Sequence, residues 1–128
     1  MKGADSDAGI ATVWAAGAIV ALLVVAGLLF ALGAVVVTRH RANNAADLAA
    51  LAAAGVADRG SEAACELARS VVERMSVRLT GCRLDQWDAL VEVEAAVPGG
   101  LGVASAHARA GPVPLEARPS GSRWSASW

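Results

Sequence analysis

Tyrosine is absent from the chain and phenylalanine occurs once. Aromatics make up 4% of the sequence, so bulk in any core must come from Ala, Val and Leu, and the core is thin. Net charge is also lacking: the formal value is -1, without the basic excess of a nucleic-acid binder. There is no C-x-x-C or H-x-x-x-H spacing, so nothing points to a metal site, which would have to converge from Cys65, Cys82 and His107. His40 and His107 have no Ser or Cys at an indicative distance, so no nucleophile stands with a base. Glu92 and Glu94 alternate with apolar residues, which reads as the wet face of a strand rather than an acid/base pair. No glycine-rich loop follows a strand and opens a helix. Together these absences argue against an enzyme, a cofactor and a small-molecule substrate.

Charge is missing locally as well. Ile10–Val37 holds no charged residue and no proline, and Thr12 is its one polar side chain. About 20 apolar residues suffice to cross the hydrocarbon of a bilayer as a helix, and lipid leaves a lone segment no other way to satisfy its backbone. The run of 28 has length to spare. A cleaved secretory signal has an apolar core of ~7–15 residues behind a basic stretch. Here Lys2 is outnumbered by Asp5 and Asp7, and the run is far longer. We therefore read residues 1–9 as a short tail or leader and 10–38 as a transmembrane helix. Gly3 and Gly9 are candidate processing points for a peptidase that cuts ahead of an apolar helix. Gly17 with Ala21, and Gly27 with Ala31, repeat the four-residue spacing that lets helices approach closely in lipid. Trp14 suits an interface anchor.

Arg39-His40-Arg41 closes the run, and the positive-inside bias favours keeping these residues cytoplasmic. Ala42–Ala54 has no breaker and is rich in the strongest helix former, so the membrane helix is expected to continue to about Ala54. A turn at Asp58-Arg59-Gly60 follows. Ser61 is placed to cap a second helix, with Glu62 in its first turn. Ala64, Leu67, Ala68, Val71, Val72, Met75 and Leu79 repeat at helical spacing, and Arg69 and Glu73 are spaced as an ion pair. Gly81 is expected to end this segment. Then the period becomes two. Val91, Val93, Ala95 and Val97 alternate with Glu92, Glu94 and Ala96, and Val103–Ala110 alternates alanines with Ser105, His107 and Arg109. Cys82–Gln86 is a shorter candidate strand, Gln86-Trp87-Asp88 and Pro98-Gly99-Gly100 are turns, and Arg109 and His107 can lie opposite Glu92 and Glu94. The expected fold is a membrane-anchored α+β chain. It has a long N-terminal helix, a second helix and a small three-stranded antiparallel sheet over residues 39–111, then a flexible tail at 112–128 carrying Trp124 and Trp128.

Cys65 lies early in the second helix and Cys82 beyond it. In an oxidising compartment they can close a loop of about seventeen residues, worth ~3 kcal/mol by chain entropy. In the cytosol they would stay two unlinked thiols.

Arg39-His40-Arg41-Ala42, then Ala45-Ala46-Asp47-Leu48-Ala49-Ala50-Leu51, resembles the R-x-R-A…AAD-x-AALAAA signature of TadE/TadG-like proteins. With Asp7-Ala8-Gly9-Ile10-Ala11-Thr12 before the span and the two later cysteines, the layout over about residues 7–111 is similar to small actinobacterial TadE-like proteins of tight-adherence (Flp-type) pilus systems. Arg39, Arg41, Ala45, Ala46, Asp47, Leu48 and Leu51 carry the motif. The resemblance implies a minor pseudopilin whose partners are the membrane, other pilin-like subunits or Tad assembly proteins. It also implies a cytoplasmic N-terminus and an extracytoplasmic domain. Members are cut after a glycine and carry an acidic fifth residue; here that residue is Ala8 counted from Ala4, or Trp14 counted from Ile10. A membrane-retained accessory role follows. Two other functions fit the residues: a single-span regulator with a cytosolic redox-sensitive domain, and an anchored binding module using the tail tryptophans.

Overall fold

A computed structural model describes residues 4–112. Gly3 and the segment with Trp124 and Trp128 lie outside the described residues. One helix dominates. α1 runs unbroken from Ala4 to Ala54, 51 residues, so its axis is about 76 Å long at ~1.5 Å per residue. The helix therefore begins earlier than expected, inside the stretch read as a tail. Its first turn contains Asp7, an acid where the helix dipole favours one. Thr12 and Thr38 turn their hydroxyls inward, donating to the carbonyls of Ala8 and Ala34 at 2.9 and 2.8 Å, so neither presents a free donor.

Gly55 and Val56 close α1 with bonds to Leu51 and Ala53, and a single 3-10 turn, Ala57–Arg59, reverses the chain. Gly60 follows with φ 95° and ψ 167°, a conformation that needs the missing Cβ. It is this glycine, not Ser61, that caps α2 (Ser61–Arg74); Ser61 is the first helical residue and makes no side-chain cap bond. Glu62 sits in the first turn as expected. Arg69 pairs with Glu66 at 3.7 Å rather than with Glu73.

α2 stops at Arg74, seven residues before Gly81. Ser76, at φ 57°, takes the left-handed position. Its N–H bonds the Glu73 carbonyl, the Val77 N–H bonds the Val72 carbonyl, and Val72 and Val77 are buried together. That is the Schellman arrangement, here with serine where glycine is usual. The strand β1 (Arg78–Asp85) follows at once, so Leu79 belongs to the sheet although its spacing continues the helical stripe. Gly81 lies at a register shift in β1, where an added Cβ would come within 3.1 Å of the Glu92 carboxylate.

β1, β2 (Asp88–Ala96) and β3 (Val103–Ala110) form an antiparallel meander in the order β1-β2-β3. Gln86, at φ 56°, and Trp87 join the first pair, and the Pro98–Gly100 turn joins the second. His107 faces Glu92 in place of the expected Arg109, a register two residues from the expected one. Arg109 is opposite Leu90 instead of a glutamate and reaches diagonally to Asp88, to which its Nε donates at 2.9 Å; Arg78 takes Glu94 at 3.1 Å. The hydrogen bond that Arg109 donates to Asp88, then the Asp88 charge, raises the pKa of Arg109.

The inner face of the sheet and α2 both pack on the far half of α1. Ala42, Ala45, Ala46, Ala49, Ala50 and Ala53 are all buried and form a single stripe at three-and-four spacing. Ala106 meets them from β3, and Ala64, Ala68 and Val72 from α2. Val72, Val91 and Val93 are the largest fully buried side chains, so the core is as thin as the composition requires.

Candidate functional site

The chemistry available to this chain lies in how α1 divides. Over its first part, Ile10 to Val37, the side chains are almost all exposed, with Leu22, Leu28 and Phe30 each more than 60% exposed. None of the membrane-length apolar window is buried inside the molecule. A helix of this length and composition is able to cross a membrane. The far half is two-sided. Its alanine stripe is the scaffold of the domain, whereas Leu48 and Leu51 stand out from the opposite side, 51% and 62% exposed. Asp47, Arg39 and Arg41 are exposed as well. The motif residues therefore separate by task. Ala45 and Ala46 are part of the buried core, and Asp47, Leu48 and Leu51 form an outward strip with no partner among the described residues.

Cys65 and Cys82 are brought together and form a disulfide, with Cα atoms 5.7 Å apart. Cys65 is in the second turn of α2 and Cys82 is beside the β1 irregularity, so the bond ties the helix to an edge strand. Both are half-buried. His107 is exposed on the outer sheet face, away from this bond. Among the described residues no three metal-ligating side chains converge.

One feature of the surface has no signal in the sequence. Where α1 leaves the sheet, a trough of about 510 Å³ opens between the helix and the end of β2. Leu29, Gly33 and Val37 floor it, Ala96 and Pro98 overhang it, and Arg41 is the charged residue at its rim. Thr38, 7% exposed, is the other residue whose burial was unforeseen. The alanine spacing from 42 to 53 was a legible signal of the scaffold, but helix propensity alone does not say which face is covered.

Among the described residues the outer sheet face is a mixture of Arg78, Glu92, Glu94, His107 and Arg109, several already paired. What the molecule offers is surface: an exposed apolar helix, an outward Leu48–Leu51 strip and a small, cross-linked domain. Comparison with known proteins agrees with that character. Residues 9–58, less than half of the chain, match the family model of TadE/G-like Flp pilus-assembly proteins. No curated protein and no solved structure matches the chain.

Proposed function

We propose, from the premise that residues 9–58 match the TadE/G-like Flp pilus-assembly family, that the chain is a minor pseudopilin or accessory component of a tight-adherence pilus or secretion system. It acts through helix packing and protein contacts, without catalysis. The observation that carries this reading is the division of α1. The matched residues include the whole exposed apolar stretch and both faces of the scaffold half, so the family region coincides with one continuous helix that is bare on one side throughout. In this reading residues 10–38 span the membrane once, the N-terminus is cytoplasmic and the domain is extracytoplasmic. The bare helix packs against other pilin-like subunits or Tad assembly proteins.

The disulfide supports an outside location, because such bonds persist in oxidising compartments. Arg39 and Arg41 favour the reverse orientation, with a cytosolic, redox-sensitive domain. Thiol labelling separates the two. An impermeant maleimide added to intact cells after reduction should modify Cys65 and Cys82; labelling only after lysis, without reductant, would overturn the pilin reading. The function itself is tested by deleting the gene in its own host. Loss of surface pili, restored by the wild-type chain and not by a Leu48→Glu/Leu51→Glu variant that still folds, is the expected result.

A further inference from the structure

The trough at the exit of α1 has the shape and polarity of a site for an amphipathic anion. Its floor is apolar from Leu29 to Val37, and its one charged residue, Arg41, stands at the domain end. From Leu29 to Arg41 the helix rises about 18 Å, against about 15 Å for the hydrocarbon of one leaflet. The trough thus runs the depth of a single leaflet, with its cation where headgroups lie. Gly33 makes room: a Cβ added there would meet no atom within 4 Å, so the floor is open rather than filled by the domain. A second copy of the chain packed alongside in register would set its own Arg39 and Arg41 against these, like charge on like charge. The described span between Ile10 and Val37 offers no acid to receive Arg41.

We propose that this trough binds one anionic glycerophospholipid of the bilayer, its acyl chain along Leu29, Gly33 and Val37 and its phosphate at Arg41. The inference rests on the membrane-spanning reading given above. A bound lipid fills the gap between the span and the overhanging Pro98 turn and fixes the angle at which the domain stands on the membrane.

The test uses the full chain reconstituted in nanodiscs of equal phosphatidylglycerol and phosphatidylcholine, released gently and weighed by native mass spectrometry. The wild-type chain should retain one phosphatidylglycerol in preference to phosphatidylcholine. Gly33→Leu, which occupies the floor and is favourable in a helix, should retain none. Arg41→Gln should lower the preference for phosphatidylglycerol about fivefold, the scale of one cation at an anionic surface. Equal retention by wild type and Gly33→Leu overturns the proposal, as does a lipid-free two-chain species that Gly33→Leu abolishes, which would assign the trough to a second copy. Flotation with vesicles is run in parallel. A wild-type chain that fails to float removes the membrane reading and this inference with it, whereas one that floats but retains lipid indifferently removes this inference alone.

Discussion

Among the described residues, two carry a backbone conformation that their side chains disfavour. Ser76 and Gln86 both have positive φ without being glycine, one closing α2 and the other turning β1 into β2. The left-handed conformation costs an L-residue about 1 kcal/mol or more, and glycine avoids most of that. Ser76→Gly should therefore stabilise the domain by about 0.5–1 kcal/mol, less any entropy gained by the unfolded chain. The check is the urea midpoint of the detergent-solubilised chain, followed by hydrogen exchange in β1; a lower midpoint would refute the strain. The Arg109–Asp88 pair makes a different prediction. Asp88 raises the pKa of an already strongly basic group, so the stabilisation linked to Arg109 is complete below the pKa of the unfolded chain and is lost only in strong alkali, as pH rises through the folded value. Between about pH 6 and 9 this pair should leave stability flat, and added salt should weaken it, because the arginine side chain is 65% exposed. A midpoint measured over that range, at two salt concentrations and beside Asp88→Asn, decides it.

At the scale of elements, the far half of α1 is the part with least tolerance. Ala46 and Ala49 are fully buried between helix and sheet, so Ala46→Leu should cost about 1–3 kcal/mol through overpacking. Leu51→Ala, at 62% exposure, should change stability by no more than about 0.5 kcal/mol while weakening assembly in the host. If both destabilise the isolated chain alike, the two-faced reading of the helix is wrong. The disulfide is the other element-scale support. Removing it by Cys82→Ser should cost about 3 kcal/mol, read as loss of exchange protection in α2 and β1 before β3. Strand periodicity was the most legible signal, and β3 begins and ends where its alternation does. The boundary between α2 and β1 was not legible, for a physical reason. Leu79 lies four residues after Met75, so a strand residue extends the helical stripe by coincidence, and the stop is made by serine rather than glycine. The register of Arg109 was missed by one pair because a two-residue slip leaves the same side chains on the same face. The trough was invisible because it forms between residues far apart in sequence, Gly33 and Pro98 among them.

For the whole molecule, α1 is the spine of the domain and, in the membrane reading proposed above, its anchor. The domain has almost no large side chains to bury, and it relies on close approach of alanines, a cross-link and a helix shared with the apolar stretch. Its parts therefore should not separate cleanly. Cutting the chain between Ala42 and Ala46 removes the start of the buried stripe, and the released fragment should lose protection across the sheet, measured by hydrogen exchange against the intact chain.

An uninterrupted helix also fixes azimuth. Each residue turns the axis by about 100°, and nothing breaks α1 between Ala4 and Ala54, so the compass bearing of the sheet is locked to the bearing of every side chain in the lipid-length stretch. One alanine inserted near Ala21 would swing the domain about a quarter turn relative to Trp14 and lift it by ~1.5 Å, whereas seven would bring it back to within ~20°. The chain works like a key on a long shaft, where the cut of the bit and the flat of the stem must stay in step.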